Sequence, residues 1–223
     1  MKVLAWKELR EVFVIMAVAL AWYLALAVNT MGAKVFNWMP AMPHGTMGIP
    51  FLDGGFAEMH TLISALFALA LGFRQSAWES SRGTYLFLLH RPLRRETVFL
   101  IKLATGAAVF LLCASLPILL YAWWAFLPGH HPGPFEWSMT GETWRLLFLM
   151  LLLYLGAFLS GLRPARWFGT RLLPLVGSLL MMVMVYQMVP AWGWWYLGFP
   201  LVLVLCGLLI ANICFMAHVR DYA

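Results

Sequence analysis

The side chains that could do chemistry are few, and they gather in a handful of places. Residues 39–47 bring together Met39, Met42, His44 and Met47. Thioether and imidazole ligands suit Cu(I). The plainer reading is that a chain with fourteen methionines uses them along an apolar rim, and no metal is assigned. Glu58 and His60 could contact a substrate or satisfy one another at a helix end. His130 and His131 are adjacent beside Pro and Gly, which suits an exposed turn better than chelation.

Catalytic signatures are missing from the sequence. There is no G-x-x-x-x-G-K-[ST] phosphate loop, no H-E-x-x-H and no G-x-S-x-G. The chain therefore reads as no enzyme and carries no cofactor of its own. Any work it does draws energy from another molecule. Cys113, Cys206 and Cys214 all lie inside apolar runs and read as packing residues, not as a disulfide framework.

The elements that must position these residues are greasy. Apolar residues make up 63% of the chain and charged ones 11%, against about 45–50% and about 25% in soluble domains. The same numbers exclude disorder. The sequence predicts an integral membrane protein with six apolar runs near the 17–25 residues that a helical crossing needs. They cover about 12–28, 56–73, 103–127, 143–162, 172–189 and 195–217, with Pro117 expected to kink the third. Residues 1–223 thus read as one transmembrane domain with short connections. Glu8 and Glu11 spoil the basic region of a secretory signal, so the first run is taken as an uncleaved span.

Lys and Arg set the orientation. Of the fifteen, only Lys34 and Arg145 fall on one side of the six spans. Both termini are therefore expected in the cytoplasm of a multi-pass cell-membrane protein. The net charge of +6 becomes a topology signal, not a sign of nucleic acid. Trp38, Trp123, Trp124, Trp137, Trp144, Trp192, Trp194 and Trp195 mark the outer boundary, and Trp6, Trp78 and Trp167 the inner one. Small residues recur every four positions at Ala17, Ala21 and Ala25, at Ser64, Ala68 and Gly72, and at Gly156 and Ser160. That spacing lets helices approach closely in lipid.

No ionisable residue lies in the middle of a run. Glu58, Lys102 and Arg145 sit near an end, from which long side chains can snorkel. Ion-coupled transporters usually hold an ionisable group at mid-membrane, so this argues against one. Asn29, Gln187 and Asn212 are too scattered to line a hydrated channel.

The longest cytoplasmic connection, residues 74–102, holds most of the remaining information. Ser76 with Glu79 has the spacing of a capping box. Gly83 permits a turn, Thr84 can cap a short apolar helix at 85–89, and Pro92 can open the next helix. A short apolar helix between turns needs a socket, either membrane lipid or a partner protein. The ordered set Glu79, Gly83, Thr84, a leucine-rich stretch, Pro92, Arg94, Arg95 and Lys102 resembles the membrane subunits of type-2 ABC exporters. Trp6, Lys7 and Arg10 look like that family's amphipathic elbow helix before the first span.

The resemblance implies an all-α permease whose coupling helix docks on a separate cytoplasmic ABC ATPase subunit, which would hold ATP and Mg. Tyr85, Leu86, Leu88 and Leu89 would form the docking ridge, with Glu79 fixing the preceding turn and Arg94 and Arg95 at the subunit boundary. Arg163, Arg166 and Arg171 would make a second cytoplasmic contact. It further implies a second permease copy or paralogue that completes the path. The runner-up is a non-transporting anchoring or assembly subunit, whose loop would grip lipid or another partner.

Overall fold

The structure is a computed structural model that describes residues 2–33, 35, 49–52, 55–82, 95–129, 134–163 and 170–219. Among these residues all of the regular secondary structure is helical. Six α-helices follow in order: α1 (Lys2–Thr30), α2 (Phe56–Arg82), α3 (Arg95–Phe126), α4 (Gly141–Leu162), α5 (Leu173–Met188) and α6 (Phe199–Val219). A short 3-10 helix, Trp137–Thr140, leads into α4. A 3-10 turn at Ala191–Gly193 and a π-helical turn at Trp194–Gly198 join α5 to α6. Helices are the form in which an apolar segment satisfies its own backbone polar groups without water.

Five of these helices are long and apolar enough to cross a membrane, which is compatible with a multi-pass membrane protein. The remaining helix, α5, has 16 residues. At 1.5 Å per residue it spans about 24 Å, short of the roughly 30 Å hydrocarbon core. α3 continues through Pro117 as one helix of 32 residues.

Several expectations at the base of the bundle need correction. We use "base" for the end that holds the start of α1 and α3 and the end of α2. The predicted elbow is not a separate element, because α1 runs unbroken for 29 residues and takes in Trp6, Lys7 and Arg10. The second apolar run ends at 73, yet α2 continues to Arg82. Ser76 is therefore no helix cap. Its hydroxyl donates to the Gly72 carbonyl at 2.7 Å, within the same helix. A serine that bonds back four residues leaves the helix free to continue.

α4 lies at the centre, with buried residues on every side of it from Leu147 to Leu162. A helix apolar all round is stable only when it is enclosed. α1, α5 and α6 instead turn much of their apolar surface outward, including Val14, Val18, Leu180, Val183, Leu203 and Val204. In a membrane protein that surface meets lipid.

The close approach of α2 to α4 depends on Gly72. A Cβ there would lie 2.7 Å from the Tyr154 carbonyl oxygen, 2.8 Å from the Ala157 Cβ and 2.9 Å from the Phe158 nitrogen. Of the stripe at 64, 68 and 72, then, Gly72 serves an intrachain contact. Gly156 likewise faces the Ser178 hydroxyl of α5. Ala17 and Ala21 differ, being exposed on the outside of α1.

Two substitutions separate close packing from helix propensity. Gly72→Ala forces a methyl into α4 backbone and should destabilise by about 1–3 kcal/mol. Gly207→Ala on α6, with nothing within 4 Å of the new Cβ, should be neutral or stabilising by up to roughly 1 kcal/mol. Thermal unfolding in detergent checks both, and equal midpoints would remove the close contact from the account.

Candidate functional site: a buried polar knot at the base

Four helices contribute one polar side chain each to a knot inside the base. Glu8 projects from the second turn of α1 and Lys102 from the second turn of α3, and both are fully buried. The Lys102 ammonium lies 3.1 and 3.2 Å from the two carboxylate oxygens of Glu8. It also donates to the Gln75 carbonyl of α2 at 3.5 Å. The Oε2 contact is a hydrogen bond, whereas Oε1 is held at ion-pair distance alone.

Gln75 returns the contact. Its amide nitrogen donates to the Lys102 carbonyl at 3.2 Å. Its amide oxygen accepts from the Tyr154 hydroxyl of α4 at 2.7 Å. The Tyr154 hydroxyl also lies 3.3 Å from the Leu103 carbonyl. Gly106 makes room, since a Cβ there would fall 2.2 Å from the Tyr154 hydroxyl and 2.3 Å from the Gln75 amide oxygen. Outside the knot, Lys7 pairs with Glu11 at 3.2 Å and lies 4.0 Å from Glu8.

Burying two charges costs several kcal/mol per ion, repaid only by good geometry and further hydrogen bonds. The knot supplies both. It also corrects the expectation for Lys102, which turns inward to Glu8 instead of snorkelling to water.

At the far end Arg145 is corrected in the same way. It is buried, and its guanidinium donates to the Tyr186 carbonyl and, at 2.5 Å, to the Val189 carbonyl. Those carbonyls lie at and just past the C-terminal end of α5, so Arg145 caps that helix and offsets its dipole. Glu142 accepts from the same guanidinium at 3.3 Å, and the Tyr186 ring stacks 4.4 Å from it. Trp194, expected as a boundary anchor, is buried too. Trp123, Trp137 and Trp195 are exposed, as anchors are.

Glu58 and His60 do not form a pair. Two residues apart on a helix, they face different directions. Glu58 is exposed and His60 is fully buried. The His60 ring sits between Tyr23 and Phe56. Its Nε2 bonds to the Ala114 carbonyl at 2.9 Å, in the turn of α3 just before Pro117. A proline removes one helix hydrogen bond and crowds the preceding turn, and a neighbouring side chain can satisfy the carbonyls there. His60 therefore supports α3 from inside the bundle.

The basic residues after α4 act locally. Arg171 donates to the Ser160 and Gly161 carbonyls at 3.4 and 3.1 Å, and Arg163 to the Thr170 carbonyl at 3.2 Å. Trp6 and Arg10 are exposed on α1. Glu79 and Arg95 lie in helices, but their side chains are outside the described residues. Gly83, Thr84, Tyr85, Leu86, Leu88, Leu89, Pro92, Arg94 and Arg166 are outside them altogether, as are Met39, Met42, His44, Met47, His130 and His131.

No family model, curated protein or solved structure matches this chain. The knot itself was not found by reading the sequence. The sequence places Glu8 among the charged residues before the first apolar run, Gln75 in the connection at 74–102 and Tyr154 inside the fourth run, with nothing that brings them together. The available signal was an acidic and a basic residue each two turns into an apolar helix at the same end.

The ion pair can be tested by a double-mutant cycle. Lys102→Met alone leaves Glu8 buried without its main partner and should destabilise by about 3–5 kcal/mol. Glu8→Gln with Lys102→Met should recover much of that loss, with a coupling of about 1–3 kcal/mol. Unfolding midpoints in detergent measure the cycle, and simple additivity would mean that the two side chains do not act together.

Proposed function

We propose that this chain is the membrane-spanning subunit of an ATP-driven exporter of the ABC type, coupled to a separate cytoplasmic ATPase through the connection at residues 74–102. On this reading α5 completes six crossings and both termini face the cytoplasm. The partners are the ATPase, which holds ATP and Mg, and a second permease copy or paralogue.

The observation that carries the proposal is the knot. Residues 83–94 leave α2 and rejoin the chain at α3, and the side chains just inside the bundle lock those two helices together through Gln75 and Lys102. The same knot takes in α1 through Glu8 and α4 through Tyr154. Force applied to the connecting segment therefore reaches four helices as one body. A coupling segment needs such a base, whereas a lipid-anchoring loop does not. The distribution of charge supports the orientation, since Lys7, Arg10, Arg74, Lys102, Arg163 and Arg171 lie at the base and Arg145 at the far end.

Replacing Leu86 and Leu89 with Asp tests the docking ridge. The variant should still insert and fold, because both residues lie outside the knot, but an ATPase subunit should no longer copurify with it. Undiminished copurification would overturn the assignment of the ridge. Recovery of a partner without ATPase activity from the unaltered protein would favour the anchoring role.

A further inference from the structure

A cleft of about 850 Å³ opens at the far end, between the start of α4 and the turn before α6. This is within the range of small-ligand sites, about 300–1,000 Å³. Trp137, Trp144, Trp194 and Trp195 form its walls, and Arg145 and Glu142 are its charged groups. Two of these wall residues carry N–H groups with no hydrogen-bond partner, Arg145 at Nε and Trp194 at Nε1. Both residues are more than nine-tenths buried, at 5% and 2% exposure. Buried donors without acceptors are rare and costly. No buried side-chain acceptor in this wall is orphaned among the described residues, so its unmet buried groups are donors.

We propose that this cleft holds the phosphodiester headgroup of a membrane phospholipid. The diester oxygens accept from Arg145 Nε and Trp194 Nε1, and an acyl chain leaves past Phe148 towards the lipid. Charge limits the choice of head. The Glu142 carboxylate, 3.3 Å from the Arg145 guanidinium, is one-third exposed at the site, so it already offsets the one cation and opposes added negative charge, a dianion far more than a monoanion. A monoanionic diester fits there, and a dianionic phosphomonoester or free phosphate is disfavoured. Depth limits it as well, because clustered indoles mark the headgroup level of a bilayer. Both N–H groups are covered by neighbouring atoms, so the head displaces wall side chains as it enters, a common adjustment on binding. The cleft lies at the opposite end from the close of α2 and the start of α3 and needs no ATPase, so this inference stands apart from the exporter reading.

The test titrates the purified chain in detergent at pH 8, where a phosphomonoester is a dianion, with binding followed by native mass spectrometry. Dioctanoylphosphatidylglycerol should saturate one site. Dioctanoylphosphatidic acid and dioctanoylglycerol should each bind at least about tenfold more weakly, and inorganic phosphate should not bind. Trp194→Phe keeps a ring but removes the donor, and should weaken the diester lipid about tenfold while the thermal midpoint stays near that of the unaltered protein. Glu142→Gln should raise the affinity for dioctanoylphosphatidic acid severalfold, an effect that a purely structural role would not produce. Should Trp194→Phe fail to fold, the Glu142→Gln result decides alone. Equal binding of dioctanoylglycerol would reduce the cleft to an apolar groove, and binding of inorganic phosphate as tight as the diester would make it a site for a free anion. Either result overturns the proposal, as would a diester affinity unchanged by a folded Trp194→Phe.

Discussion

The ion pair of Glu8 and Lys102 is the constraint on which the base of this protein depends. Two opposite charges lie inside an otherwise apolar bundle, and neither is tolerable there without the other. Their pairing fixes the depth of α1 against α3. The reciprocal bonds of Gln75 then fix α2 against α3, and Tyr154 brings in the central helix. The ion pair and the hydrogen bonds of Gln75 and Tyr154 thus set the register of four helices together. In lipid this matters more than in water, because the apolar faces gain little by leaving acyl chains for one another.

The two ends of the bundle are built differently. The base is held by side chains from four helices that meet each other. The far end is held by one arginine that reaches across to main-chain carbonyls at the end of α5. Between them, contact depends on shape, with Gly72 and Gly156 letting backbones come close. The base resists distortion in several directions, whereas the far end has a single strong clasp beside an open cleft.

Much of this fold is legible in the sequence because apolar length and charge placement carry it. The six apolar runs correspond to the six described helices, and the recurring small residues at 64, 68 and 72 point to a close helix contact that Gly72 makes. What sequence hides is the partner of each polar group. Lys102 and Arg145 each lie near a helix end, and snorkelling is the natural expectation for a lone helix. Inside a bundle the same positions are enclosed, and the charge must find a partner within. Glu58 and His60 look like neighbours in the chain, yet a two-residue step on a helix turns them apart. Ser76 has the spacing of a cap, but a serine hydroxyl is equally content on the carbonyl four residues back, and nothing local distinguishes the two.

The Glu8–Lys102 contact joins residues 94 positions apart, and that separation has a consequence for biogenesis. At translation speeds of about 5–20 residues per second, roughly 5 to 20 seconds pass between the emergence of the acid and that of its base. Throughout that interval the Glu8 carboxylate has Lys7 nearby but lacks its buried partner, and the hydrocarbon opposes its entry. The first helix must therefore wait with its leading turns at the aqueous boundary, and it sinks to final depth only when the third helix delivers the matching cation. The nascent protein is thus seated in the bilayer by a delayed neutralisation, and the order in which ribosomes supply the two residues becomes part of how it assembles.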